Sequence, residues 1–320
     1  MPRSPAAAPF RVHGDGAIPL SESVSRVHAA AAAPERQQFA PGRVRHRPAG
    51  THRDCPVGGR KSPVSGTLAP EVLVLGGSGT VGQGVVQALL EAGSPVLAVA
   101  RDRTRLAALR ERHRDEPGLD VLSGSVATDA AAAALVAEVA QRPRPLAGVV
   151  AALGSPLRPG RLLERPLGAL RKRLDADLLP HLAAARHLLP LLAQHERGAR
   201  YVLLGSPCAL RAWSGHGDSS VAASAIRMLA QVLHEEAKPL GVHVHLLSLS
   251  EPVCRSDAAI DDCPEWFTTL GVGRAVVHLL AEPQRPDRAL VEIDRRHFAQ
   301  PRSALLTPLP FSFSTHEVSP

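Results

Sequence analysis

Gly76, Gly79 and Gly82 recur at G-x-x-G-x-x-G spacing within Val72-Leu73-Val74-Leu75-Gly76-Gly77-Ser78-Gly79-Thr80-Val81-Gly82. Positions without a Cβ let a turn reach positive φ and let a pyrophosphate come close to the N-terminus of the next helix. An apolar run precedes these glycines and the amphipathic residues 83–90 follow them, so the stretch reads as strand, tight turn and helix. Ser78, Thr80 and Val81 lie inside the turn and are read with the glycines as a dinucleotide cradle. Arg101 directly follows the next apolar run. An acidic side chain there would pair with a ribose 2′-hydroxyl, whereas an arginine accommodates a 2′-phosphate, so NADP is the expected cofactor. Asp102, one residue later, keeps NAD open. Ser206 ends a further apolar run, where ligands bind in open α/β sheets, and is the candidate substrate-orienting hydroxyl.

Other constellations carry less. His216, in Trp213-Ser214-Gly215-His216-Gly217-Asp218, could serve as an acid or base near neutrality, but a surface-loop histidine is the plainer reading. A Ser206/His216/Asp218 hydrolase lacks the G-x-S-x-G elbow. His243 and His245 share one face of a strand without an identifiable third ligand, so no metal is assigned. Cys55, Cys208, Cys254 and Cys263 form no C-x-x-C pair, which fits a reduced, cytoplasmic compartment, and Cys208 reads as a packed small residue.

Strands and helices must alternate to hold these positions. Strands are expected over 72–75, 95–100, 119–122, 146–152, 201–204, 242–249 and 289–293. Helices are expected to follow the turn and to span 103–114, 130–141, 167–194, 219–237 and 273–280. Pro180 and Pro190 should kink or divide the fourth of those spans. The pattern predicts an α/β fold: a single Rossmann-type, doubly wound parallel sheet of about seven strands with helices on both faces, over residues 71–295.

The formal charge of +7 is a property of the N-terminal segment: residues 1–70 hold ten Lys/Arg against four Asp/Glu, and the rest is nearly balanced at 27 against 26. No groove matches it, so no specific nucleic acid is expected. Rich in Ala, Pro, Arg and Gly, residues 1–70 read as a disordered extension, with a weak polyanion-binding arm as the functional alternative. Val57 and Val64 are alternative starts if the coding start lies too early. Residues 296–320 read as an irregular tail, and no apolar run reaches the ~18 residues of a membrane span.

With these junctions in this order, residues 71–295 resemble the short-chain dehydrogenase/reductase family. The glycine turn opens the domain. Val149-Val150-Ala151-Ala152-Leu153-Gly154 sits where the family carries its strand-four Asn-Asn-Ala-Gly segment, Asp177 where it carries a helix asparagine, and Ser206 where strand five ends in the catalytic serine. By this resemblance Ser125, Val126, Ala151 and Gly154 join the cofactor-binding set, with Ser125 in place of an adenine-side aspartate. Ser250-Glu251 replaces the Pro-Gly after strand six. The resemblance also implies a homo-oligomer packed through helices at 167–194 and 219–237.

The family's chemistry uses a Tyr-x-x-x-Lys pair on the helix after strand five, and Ser220 and Ser224 are read at those positions. Tyr201 is the only tyrosine, and Gly205 stands four residues on, so the pair is absent from the chain. The expectation is an NAD(P)(H)-binding oxidoreductase with a degenerate active site, acting on an unknown carbonyl or alcohol. A non-catalytic NADP(H)-binding sensor or interaction protein is the alternative, and loss of the cofactor as well is a third reading.

Overall fold

In the computed structural model the described residues are 69–194, 198–254, 266–282 and 287–293. The expected N-terminal extension, apart from Ala69 and Pro70, and the expected C-terminal tail lie outside them, as do Cys55 and Cys263. Among the described residues the strands are β1 (Glu71–Leu75), β2 (Val96–Ala100), β3 (Leu119–Ser123), β4 (Leu146–Ala151), β5 (Arg200–Leu204), β6 (His243–Ser248), β7 (Val253–Cys254), β8 (Phe267–Thr268) and β9 (Leu290–Glu292). The helices are α1 (Thr80–Glu91), α2 (Arg103–Arg112), α3 (Asp129–Ala140), α4 (Leu167–Asp177), α5 (Leu179–Leu192), α6 (Gly217–Ala237) and α7 (Thr269–Ala281).

Seven strands form one parallel sheet in the order β3-β2-β1-β4-β5-β6-β9. The order reverses at β1, so the gap between the loops after β1 and β4 is the crevice where ligands bind in such sheets. Side-chain alternation divides the core in two. Leu73, Leu75, Val149, Tyr201 and Leu203 pack with α3, α5 and α6 on one face. Val72, Val74, Val150 and Val202 pack with α1 and α7 on the other. Strands covered on both sides must be almost wholly apolar, and β1 is buried at every position.

The exception in β1 is Glu71, 1% exposed at its N-terminal end. Arg142 holds it with two hydrogen bonds, of 2.6 and 2.9 Å, and reaches Asp120 at 2.7 Å. The hydrogen bond to Glu71 is the main reason that the Arg142 guanidinium is raised above its ordinary pKa.

The two prolines of the long apolar stretch act differently. Pro180 lies in the first turn of α5, where no backbone N–H is needed, and the helix breaks before it at Leu178. Pro190 lies inside α5 without ending it. The sequence reading also missed the short parallel pair β7–β8 and placed the start of α7 at 273, whereas Thr268 caps that helix by accepting from the Gly271 N–H at 2.9 Å. On the outer face α1 and α7 cross closely: a Cβ on Gly84 would lie 2.2 Å from the Thr269 carbonyl oxygen, and one on Gly273 2.2 Å from that of Gly84.

Candidate active site at the strand ends

The turn after β1 is built by its glycines. Gly76 has φ +76°, and a Cβ there would stand 2.3 Å from the Ala152 carbonyl oxygen; one on Gly82 would meet the Gly76 carbonyl oxygen at 2.1 Å. The Gly76 and Gly77 N–H groups donate to the Val99 carbonyl at 2.8 and 3.1 Å, which ties the turn to β2. α1 then begins at Thr80, with Gly79 at the cap position supplying no side-chain cap and no acidic residue in the first turn. Free N–H groups and an uncompensated positive dipole end make this helix start a fitting place for a diphosphate.

A cavity of about 260 Å³ opens above this turn. Of the residues singled out from sequence, Gly76, Ser78, Gly79, Arg101, Ser125, Val126 and Gly154 line it. Ala151 does not: it is fully buried in the core, and Ala152, Leu153 and Gly154 supply the wall. Gly82 is buried beneath the turn, Val81 packs against the core, and Thr80 borders a neighbouring polar groove.

At the β2 end the wall carries two arginines. Arg101 is joined by Arg105 from the first turn of α2, a residue the sequence reading did not single out. Its signal was available: the two stand four positions apart, across an aspartate suited to capping. That aspartate, Asp102, also lines the cavity; its Oδ1 accepts from the Arg105 N–H at 3.0 Å as the N-cap of α2, and its Oδ2 lies 3.9 Å from the Arg105 Nε.

A second cavity, of about 180 Å³, adjoins the first through their shared residues Leu153, Gly154 and Ser155. Ser206 lines it from the end of β5, its Oγ accepting weakly from the Cys208 N–H at 3.4 Å. From α6 come Ser219, Ala223 and Ile226, one inward stripe at i, i+4, i+7. This corrects the assignment of Ser220 and Ser224 to the tyrosine and lysine positions. α6 begins at Gly217, so Asp218 and Ser219 turn inward, Ser224 is exposed, and the Ser220 Oγ accepts from the Trp213 N–H at 3.3 Å. The positions facing the cavity at that spacing are Ser219 and Ala223, and neither is a proton-transfer side chain of the tyrosine or lysine type.

α4 contributes a buried ion pair. The Arg173 guanidinium and the Asp177 carboxylate approach to 2.7 Å with side chains 9% and 8% exposed. Arg173 also donates to the Ser219 Oγ at 2.8 Å and to the Pro156 carbonyl at 3.0 Å. The second carboxylate oxygen of Asp177, Oδ1, is buried with no hydrogen-bond partner. Beside it, Arg165 donates to Asp218 at 2.7 Å and to the Pro159 carbonyl at 2.7 Å, and the Gly160 N–H donates to the Gly215 carbonyl at 2.6 Å, fastening the loop over this end of the sheet.

The remaining candidates stand apart from both cavities. His216 packs edge-on against Trp213 with ring centroids 6.2 Å apart and lines neither cavity. Asp218 is held by Arg165, so no Ser206/His216/Asp218 relay is assembled. Tyr201 is wholly buried in β5, its hydroxyl unpartnered, and burial pushes the phenol well above its ordinary pKa. His181, one turn after Asp177, is fully buried, and its pKa falls to about 4 through desolvation. The rings of His243 and His245 stack 6.4 Å apart, and no group of three His, Cys, Asp or Glu among the described residues is placed to hold a metal ion. Cys208 is buried and free.

This geometry is shared with known folds. A short-chain dehydrogenase/reductase from Mycobacterium ulcerans superposes with a TM-score of 0.63 at 19% identity, over 72% of this chain and 90% of that one. A structure of ElxO with NADP bound gives the same TM-score at 16% identity, over 73% and 100%. A short-chain oxidoreductase from Pseudomonas aeruginosa PAO1, described as containing an atypical catalytic center, gives 0.60 at 20% identity, over 71% and 96%. At these identities the likeness is one of fold. Among curated proteins none matches the chain in sequence. The family model for short chain dehydrogenase matches residues 70–251, more than half of the chain and the whole stretch from β1 through Ser206 to the end of β6, so the chain belongs to that family.

Proposed function

We propose that this chain binds NADP(H) in the larger cavity and is an oxidoreductase for a carbonyl or alcohol received in the smaller one. The observation that carries the cofactor choice is the pairing of Arg101 and Arg105 at the β2 end while Asp102 caps α2. Two cations beside a single carboxylate that caps α2 leave net positive charge at this end, which suits a 2′-phosphate. The 76–82 turn and the uncapped start of α1 would hold the diphosphate, Val126 and Ser125 would flank the adenine, and Gly154 leaves the wall open toward the second cavity. NADPH, when bound, supplies a hydride. The Ser206 hydroxyl orients the substrate oxygen.

Without tyrosine and lysine at the inward positions of α6, proton transfer is weakly supported. Loss of a positioned general acid lowers rates by about 10²–10⁴-fold. From an ordinary turnover of ~10 s⁻¹ this leaves ~10⁻¹ to 10⁻³ s⁻¹. The same substitution favours a second reading, an NADP(H)-binding sensor without turnover. Self-association through α4, α5 and α6 is part of the proposal, since Leu167, Leu182 and Met228 stand 81%, 44% and 59% exposed there.

Calorimetric titration with NADPH and NADH tests the cofactor assignment, with NADPH expected to bind at least tenfold more tightly. Equal affinities would remove the role given to the arginines, and no binding of either would sink the proposal. A panel of carbonyl substrates then separates the readings: slow NADPH oxidation supports the enzyme, and binding with no oxidation supports the sensor.

A further inference from the structure

Next to the cofactor cavity a polar groove of about 520 Å³ lies between α1, α2 and the start of α7. Thr80, Gln83 and Gln87 line it from α1 at i, i+3 and i+7, one face of that helix. Arg105 and Arg112 line it from α2, also seven positions apart, and no aspartate or glutamate is among the described residues of its wall. Arg112 is fixed across the groove: it donates to the Gln83 Oε1 at 2.6 Å, and it has no carboxylate partner among the described residues. Arg105 has the one carboxylate of Asp102 beside it, at 3.9 Å from its Nε. His113 completes the wall after α2; burial and then Arg112 lower its pKa, so it is neutral near pH 7 and the charge of the groove is that of the two arginines.

Spacing decides between the anions such a groove could take. A rise of 1.5 Å per residue sets the two arginines about 10.5 Å apart along α2. One orthophosphate can reach one guanidinium only. A chain of linked phosphoryl groups carries anionic oxygens along its whole length, so each end can accept from a guanidinium while the Thr80 hydroxyl and the Gln87 amide donate between them. We propose that the groove between α1 and α2 is a second anion site, for a linear polyphosphate chain of three or more phosphoryl groups, free or carried by a nucleoside. Ser78 and Arg105 belong to both the groove and the cofactor cavity. A chain seated in the groove therefore takes Arg105 away from a 2′-phosphate and weakens NADPH more than NADH. That competition rests on the cofactor assignment above; binding in the groove does not.

The test is calorimetric titration of the full chain, in magnesium-free buffer, with inorganic tripolyphosphate, orthophosphate and ATP. Tripolyphosphate should bind at least about tenfold more tightly than orthophosphate, because it engages a second arginine. ATP as tight as tripolyphosphate assigns the groove to a nucleotide-borne chain, and weaker ATP assigns it to a free one. Arg112→Ala should weaken tripolyphosphate at least about tenfold while NADPH stays within twofold, since Arg112 does not line the cofactor cavity. Should that variant not fold, Gln87→Glu replaces it: the position is exposed, and a carboxylate on the opposite wall should weaken tripolyphosphate to a similar degree. In the parent chain, saturating tripolyphosphate should raise the apparent NADPH Kd about threefold or more and leave that of NADH within twofold. No binding of tripolyphosphate, equal binding of orthophosphate, or binding that survives these substitutions, as attraction to the basic residues 1–70 would, overturns the inference. Tripolyphosphate binding that depends on Arg112 but leaves NADPH untouched would instead overturn only the role given to Arg105 in holding the cofactor.

Discussion

Arg142 and Arg173 are both drawn into carboxylate pairs, at opposite ends of the sheet and to different effect. Arg142, at the end where β1 begins, is held by three hydrogen bonds to Glu71 and Asp120. Arg173, at the strand C-terminal ends, holds a single carboxylate whose other oxygen is buried without a partner, and the pair borders a cavity. The first pair satisfies a charge that the first residue of β1 brings into the core. The second leaves hydrogen-bonding capacity unspent. In an open α/β sheet that contrast follows position: ligands bind at the C-terminal ends, and the opposite end carries only structure.

Cutting the saturated pair should have the largest effect. Glu71→Ala leaves a mostly buried guanidinium with Asp120 as its remaining carboxylate and should cost about 3 kcal/mol of stability by denaturant unfolding, while NADPH affinity in the folded fraction stays within twofold. A larger loss of cofactor affinity than of stability would break the distinction between the two ends. Acid is the next lever. His181 and His245 are both buried neutral, with pKa values near 4 against 6.5 in the unfolded chain, chiefly through desolvation. Depressed histidines mean that the unfolded chain binds the extra protons, so stability is full above about pH 6.5 and is lost as pH falls toward 4. Each should contribute ~1–2 kcal/mol between pH 7 and pH 5, and His181→Leu should remove about half of that dependence in urea titrations at the two values.

Replacing the unsaturated pair should cost less. Arg173→Met with Asp177→Leu should leave stability within ~1 kcal/mol of the parent, because well-packed apolar residues commonly match a buried ion pair. A loss of 3 kcal/mol or more would make the Arg173 pair as structural as the Arg142 pair. The smallest effect belongs to the rim of the cofactor cavity. Arg105→Ala should weaken NADPH by about three- to tenfold and leave NADH unchanged, since an exposed charge contact is worth ~1 kcal/mol.

Much of the fold was legible in the sequence because parallel strands buried on both faces must be written as apolar runs, and each run found its place in the sheet. The glycine turn was legible for the same kind of reason: a Cβ at Gly76 or Gly82 has nowhere to go. The second cavity was not. Which residues of α6 face inward depends on where the helix starts, and a shift of one residue separates Ser219 and Ala223 from Ser220 and Ser224. Arg173 and Asp177 sit in a polar helix whose other charges are exposed, and only the packing of α4 on its neighbours distinguishes them. That the chain holds no Tyr-x-x-x-Lys sequence was readable directly; the lining of the second cavity required side chains from several elements.

The close crossing of Gly84 and Gly273 has a consequence in time. The helix that begins at the glycine turn cannot settle into its final place until a segment about 190 residues downstream has packed against it. At ~5–20 residues per second, that segment leaves the ribosome roughly 10–40 s after the turn. The first supersecondary unit of this domain to be synthesised is therefore among the last to be finished, and through that interval its apolar outer face waits uncovered.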